Sequence, residues 1–203
     1  MAKYRTDRSQ QQRILVAQTA ARLMAEQGIQ DFHAAKLKAV EQMGLDRNSQ
    51  NMPRNQEVEL ALSEYQRLFQ SDLQPKVLQR MRAIAQQLMG LLEQFQPRLV
   101  GSVLSGRATA YSNINLHLFA QTPEFVAMYL LDHGIPYEIH ERKVRMGNNQ
   151  YQDYPVYRFM ADDVTIEAMV FDQDGLRQSP LSPVDGKPMQ RAARAEVLRL
   201  LAA

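Results

Sequence analysis

The chain of 203 residues contains no cysteine and only four histidines, and this excludes several kinds of chemistry. Without cysteine there is no disulfide bond, no zinc–thiolate site and no thiol nucleophile. The histidines are scattered along the sequence, which disfavours a metal centre built from imidazoles alone. The sequence therefore predicts neither thiol catalysis nor a zinc or disulfide framework.

Long hydrophobic runs are also missing. No segment approaches the roughly 18–20 apolar residues of a membrane span, and the first residues lack the apolar core of a signal peptide. The 24 basic and 22 acidic residues leave a net charge of +2, so charge alone does not favour nucleic acid as a partner. We expect a cytoplasmic protein of bacterial type without a membrane partner.

The N-terminal part is rich in Gln, Ala, Leu, Arg and Met, which favour helices. Helical spacing of Ile14, Ala17, Ala21 and Met24 predicts a first helix, and Asp31 is suited to cap a second. A third helix is expected to start near residues 53–56, and a fourth to run from 73 to 95. The apolar residues predicted to face inward from the third helix are Val58, Leu62, Tyr65, Leu68 and Phe69. We expect residues 1–72 to form a helical region.

After Pro97 the hydrophobic period changes from that of a helix to that of a strand. The apolar residues of 99–104 predict one strand, and residues 113–119 alternate as a second. Further strands are predicted at 137–145, 156–161 and 164–171, with a tight hairpin turn at Asp162-Asp163 between the last two. Helices are predicted after Thr122 and over 189–201. The expected fold is α+β: residues 73–203 form a small mixed or antiparallel sheet with helices on one face.

One segment combines these strands with a specific motif. Gly101-Ser102 ends the first strand, and Ser112-Asn113-Ile114-Asn115-Leu116 begins the second. This layout resembles the active-site hairpin of the nucleotidyltransferase superfamily, the DNA polymerase β-like fold, in which Gly-Ser is followed by Ser-Asp-x-Asp-Leu. The resemblance covers roughly residues 75–171 and implies the palm of that fold.

The resemblance also implies roles for residues. Gly101 and Ser102 would form the phosphate-binding turn, with Gly106 and Arg107 in the following loop. Asn113 and Asn115 stand where the family has its two metal-binding Asp residues. Glu167 stands where a third carboxylate would come from an adjacent strand.

The two amides change the expected chemistry. Nucleotidyl transfer uses two Mg²⁺ ions, which are held by carboxylate oxygens. An Asn offers only a neutral carbonyl oxygen, and Glu167 alone would hold Mg²⁺ weakly, so we expect the two-metal reaction to be absent or very slow. The first interpretation is a nucleotidyltransferase-like protein that binds a nucleotide, another phosphorylated ligand or a protein partner. The alternative is an active transferase that holds Mg²⁺ through Glu167 with Asp163 or Asp172.

A third interpretation comes from the N-terminus. The segment RILVAQTAARLMAEQGI, residues 13–29, resembles the first helix of tetracycline-repressor-like regulators. That family continues into a recognition helix of Gly-Thr-Leu-Tyr type, which this chain does not have. A DNA-binding regulator with an α+β ligand domain therefore ranks last.

Each motif also has a purely structural interpretation. Asn113 and Asn115 are compatible with the solvated face of a strand, and Glu167 is expected to be an exposed strand residue. His117 is expected to be a hydrogen-bonded strand histidine. The basic cluster of Arg142, Lys143 and Arg145 is typical of a solvated face or a protected edge strand, with phosphate contact as the less favoured interpretation.

Overall fold

A computed structural model describes residues 2–45, 52–70 and 73–202, with side chains from Ser9 onward. Within these ranges it is a mixed α+β protein. The helices are α1 (Ala2–Gln27), α2 (Phe32–Gln42), α3 (Asn55–Phe69), α4 (Gln74–Leu91), α5 (Gly101–Ser105), α6 (Glu124–Asp132) and α7 (Arg194–Ala202). The strands are β1 (Arg98–Val100), β2 (Ile114–Phe119), β3 (Glu138–Gly147), β4 (Gln150–Ala161) and β5 (Val164–Phe171). Short 3₁₀ helices cover Glu93–Phe95 and Gln173–Leu176.

The chain divides into two compact units. The first comprises residues 1–75 together with 109–111 and 183–185, and the second comprises 76–108, 112–182 and 186–203. The boundary expected at residue 72 lies outside the described residues. None of the helices in the described ranges is long and apolar enough to cross a membrane.

The helical unit packs α1 against α2 and α3. Its core is formed by small and branched side chains of all three helices, among them Val16, Ala20, Leu23, Ala35, Val40, Val58 and Leu62. Asp31 caps α2, as expected, because its Oδ1 accepts a hydrogen bond from the Ala34 N–H over 2.7 Å.

The predicted inward faces of two helices were partly wrong. Ile14 is 50% exposed, whereas Ala17, Ala21 and Met24 are buried as expected, and Val16, Ala20 and Leu23 widen the buried stripe of α1. Leu68 and Phe69, at the end of α3, are 61% and 70% exposed. The buried stripe of α1 therefore combines alanines with larger apolar side chains such as Leu23 and Met24.

The second unit contains one five-stranded sheet in the order β1-β2-β5-β4-β3. β2 and β5 are parallel, and every other neighbouring pair is antiparallel. The connection from β2 to β5 passes through α6 and the β3–β4 hairpin. Asp162 and Asp163 close the β4–β5 hairpin with positive φ angles of 45° and 63°, which is the tight turn predicted there.

The two faces of this sheet have different surroundings. One face packs against α4, α6 and α7 and forms the main core. Its sheet residues include Ile114, Leu116, Leu118, Ile166, Ala168 and Val170. The other face carries a smaller apolar cluster around Phe119 and Phe171, and polar side chains lie beside this cluster. The polar part of the second face contains the candidate site.

Two predicted elements need correction. Val103 and Leu104 lie in helix α5, not in a strand, because Gly101 adopts a positive φ of 75° that ends β1. The last helix begins at Arg194 and not at Met189. Before this helix, Ala192 forms an isolated antiparallel bridge with Leu99 of β1 through two backbone hydrogen bonds of 2.9 Å.

Candidate functional site

The Gly-Ser motif lies where the chain turns from β1 into α5. Gly101 has a φ of 75°, which favours glycine over any other residue. A Cβ atom added to Gly101 would lie 3.4 Å from Nδ2 of Asn115, so the backbone at this turn lies against that amide. The missing side chain therefore leaves room directly beside Asn115.

The two asparagines lie in different parts of the backbone, one before strand β2 and one within it. Asn115 lies within β2, whereas Asn113 precedes the strand by one residue and is 6% exposed. Asn115 Nδ2 donates to the carbonyl oxygen of Asn113 over 3.3 Å. Positions 113 and 115, which hold metal-binding Asp residues in the family, are thus joined here by a hydrogen bond. An ionised Asp at position 115 could not donate it.

Glu167 lies on β5 directly beside Asn115. The parallel register pairs these two residues, and neighbouring strands are about 4.8 Å apart. The expectation that Glu167 is exposed was wrong: it is 9% exposed because its face of the sheet is partly covered. Its Oε2 accepts a hydrogen bond from Nη2 of Arg142 over 2.6 Å, which forms an ion pair.

The remaining predicted site residues lie at the two ends of α5. Ser102 follows Gly101 at the start of this helix. Gly106 and Arg107 lie beyond its end, where Gly106 has a φ of 81° and the Arg107 N–H donates to the Ser102 carbonyl over 2.9 Å. At about 1.5 Å per residue, α5 separates its two ends by about 7 Å. The structure thus brings Gly101, Asn115 and Glu167 together and leaves Gly106 and Arg107 at the other end of the helix.

Sequence reasoning missed the role of Arg142. It belongs to the basic cluster of the edge strand β3, yet its guanidinium reaches across β4 to Glu167. Arg158 on β4 is the cross-strand neighbour of Glu167, but it is exposed and the ion pair is made by Arg142. The alternation of side chains along β3 could have indicated this role, because Arg142 and Lys143 point to opposite faces of the sheet.

His117 follows on the same face of β2 and is hydrogen-bonded, as expected. It is 3% exposed, and its Nδ1 accepts a hydrogen bond from Nε of Arg191 over 3.0 Å. Burial, followed by the positive charges of Arg191 and Arg142, lowers the pKa of His117 to about 3. The imidazole is therefore neutral near pH 7 and carries its proton on Nε2.

Arg191 links His117 on β2 to the segment after β5, and no sequence pattern indicated this role. Its Nη1 donates to the Gly175 carbonyl over 2.6 Å, and its guanidinium carbon lies 5.0 Å and 5.1 Å from the ring centroids of Phe119 and Phe171. Its Nη2 is buried without a hydrogen-bond partner among the described residues. Burial is the main cause that lowers the pKa of Arg191 to about 10, so it remains a cation at neutral pH.

Acidic residues do not converge here. No group of three or more His, Asp or Glu side chains within the described ranges is placed to hold a metal ion. Asp163 precedes β5, about 13 Å along the chain from Glu167, and Asp172 follows β5, about 17 Å in the other direction. The Oδ1 of Asp172 accepts the Gly175 N–H over 2.7 Å.

The arrangement therefore suits an anion better than a divalent cation. A metal pair needs several carboxylate oxygens, and here one carboxylate is already neutralised by a guanidinium. Amide N–H groups and guanidinium groups donate hydrogen bonds to phosphate or carboxylate oxygens.

Comparisons of this chain with protein-family models, with curated proteins and with solved structures found no match.

Proposed function

We propose that the second unit is a nucleotidyltransferase-like palm that has lost nucleotidyl transfer and binds a nucleotide or another phosphorylated ligand. The observation that carries the proposal is the register of three strands. Asn115 on β2 is paired with Val100 on one side, immediately before Gly101, and with Glu167 on the other. The three motif positions thus meet at one place on the sheet.

The strand directions support the same proposal. The resemblance requires a hairpin that carries Gly-Ser and the paired motif, and a neighbouring strand that carries a third acidic residue. Here β1 and β2 form the antiparallel pair, and β5 lies parallel to β2 with Glu167 in register. The helices α4, α6 and α7 pack on the opposite face of the sheet, and on the motif face Asn115 and Arg142 remain partly exposed.

The loss of catalysis follows from the charges. Two-metal transfer needs carboxylates that face both ions, since the ions stabilise the attacking and leaving oxygens. Asn113 and Asn115 supply no negative charge, and Arg142 already neutralises Glu167. An active transferase using Asp163 or Asp172 has weaker support, because these residues lie at opposite ends of β5.

Thermal unfolding tests this proposal with ATP, GTP, CTP, UTP and inorganic triphosphate, each with and without Mg²⁺. A ligand that binds only the folded protein at 100 times its dissociation constant stabilises it by about 2.7 kcal/mol. We expect stabilisation by at least one of these compounds and no release of pyrophosphate. Absence of any shift would overturn ligand binding, and pyrophosphate release that requires Mg²⁺ would overturn the loss of catalysis.

A further inference from the structure

We propose that Arg142 takes the place of the missing metal ions and makes this site a metal-independent receptor for polyphosphate. The inference rests on the proposed function, and it names the group that binds the ligand. It is based on the 2.6 Å ion pair between Arg142 and Glu167, which lies beside the Asn115 amide.

The position of the guanidinium supports this role. In the family motif, the third carboxylate faces the divalent ions. Here the Glu167 carboxylate faces a guanidinium, which is a permanent cation. Arg142 contributes to lowering the pKa of His117, so its charge also acts on the neighbouring position of β2. A positive charge thus lies on the carboxylate that stands in the third acidic position of the motif.

Accessibility distinguishes Arg142 from a purely structural arginine. Its side chain is 39% exposed, whereas that of Glu167 is 11% exposed. Among the described residues, the guanidinium makes one hydrogen bond, to Glu167. Arg has five N–H donors in a planar fork that matches phosphate oxygens, so several donors point away from Glu167.

The amide at position 115 fits an anion where a carboxylate would not. An Asp at this position would repel a phosphate unless a metal ion lay between them. The Asn115 side chain instead presents an N–H₂ group to the space beside Gly101. Compared with the family motif, this chain has Asn in place of Asp at position 115 and an arginine on Glu167. Both differences favour an anion over a cation at this site.

Positive charge on neighbouring strands extends the site. Arg98 on β1 is the cross-strand partner of His117, and Arg191 donates to the same histidine. Arg98 also contributes to lowering the pKa of Arg191, so the two cations lie close enough to interact. The positive charges of Arg98, Arg142 and Arg191 attract ligands that carry more than one negative charge, such as the triphosphate of a nucleotide.

The test measures binding of inorganic triphosphate and ATP by calorimetry in EDTA and again in Mg²⁺. The variants are Glu167→Gln, the double variant Arg142→Gln with Glu167→Gln, and the control Lys143→Gln. The double variant leaves no buried unpaired carboxylate, so it avoids the destabilisation expected of Arg142→Gln alone. Lys143 is exposed, lies next to Arg142 and points to the opposite face, so its change removes the same charge away from the site.

We expect wild-type binding in EDTA that is equal to or tighter than binding in Mg²⁺. Glu167→Gln should tighten binding severalfold, because the carboxylate no longer competes for Arg142. The double variant should bind about tenfold more weakly than Glu167→Gln, because a charge-assisted hydrogen bond is lost. Lys143→Gln should stay within about twofold of wild type.

Three outcomes would overturn this inference while leaving the proposed function in place. They are wild-type binding that requires Mg²⁺, weaker binding by Glu167→Gln as expected of a metal ligand, and equal binding by Glu167→Gln and the double variant. If the wild-type protein binds neither compound in either buffer, this inference fails, and the proposed function fails with it when GTP, CTP and UTP give no thermal shift either.

Discussion

Arg191 donates a hydrogen bond from Nε to Nδ1 of His117 over 3.0 Å, so the buried imidazole is held neutral between the ring of Phe171 and a cation. The consequence is a dependence of stability on pH. The pKa of His117 is about 3 in the folded protein, compared with 6.5 when it is exposed. Below pH 6.5 the unfolded chain binds a proton that the folded chain does not, so stability is lost as the pH falls.

We expect the free energy of unfolding to fall by about 2 kcal/mol between pH 7 and pH 5 because of this group. Urea denaturation at several pH values measures it. In His117→Gln the side-chain oxygen can still accept from Arg191, and this part of the pH dependence should disappear. The exposed His140 is the control, and His140→Gln should retain the wild-type slope. Equal slopes for both variants would contradict the assignment.

Arg191→Met should destabilise the fold by about 2 kcal/mol, because it removes hydrogen bonds to His117 and Gly175 and the contact with two aromatic rings. Methionine keeps much of the apolar volume, so the loss reports mainly on the polar contacts. Arg177→Met is the matched control, since Arg177 is exposed nearby in the chain, and it should change stability by less than about 0.5 kcal/mol. Equal losses in the two variants would show that Arg191 does not tie these segments together.

Gly101→Ala should separate backbone strain from ligand binding. Gly101 and Gly134 both have positive φ, 75° and 66°, so alanine at either position should cost about 1 kcal/mol of stability. Only at Gly101 would the new Cβ lie beside Asn115, while nothing lies within 4 Å of it at Gly134. Nucleotide binding should weaken by about fivefold, or about 1 kcal/mol, in Gly101→Ala alone. Binding that falls equally in both variants would place the ligand elsewhere.

Local patterns in the sequence predicted much of the fold. The cap at Asp31, the β4–β5 hairpin turn and the change from helical to strand spacing at Pro97 depend on neighbouring residues, and each was predicted correctly. The run from Leu99 to Leu104 was not, because a short apolar run fits a strand or a helix equally well. The positive φ at Gly101 decides between them, and it depends on the packing around β2.

The candidate site could be predicted only in part. Gly101, Asn115 and Glu167 follow from a motif with fixed order along the chain, and the sheet register brings them together. Arg142 and Arg191 could not be found this way, because their partners lie 25 and 74 residues away in sequence. Strand alternation places Arg142 on the right face, but only the order of the strands brings it to Glu167.

The most direct measurement of the central claim is Mn²⁺ binding, followed by electron paramagnetic resonance, in the variant Asn113→Asp with Asn115→Asp. Mn²⁺ prefers the same oxygen ligands as Mg²⁺ and is visible to this method. The control is Asn148→Asp with Asn149→Asp, which adds the same charge at the exposed β3–β4 turn. If this sheet is a palm that lost its metals, the wild type and the control will bind no Mn²⁺ at concentrations where the Asn113/Asn115 variant binds it. If that variant binds no more Mn²⁺ than the control, these two positions are not the former metal ligands and the account is wrong.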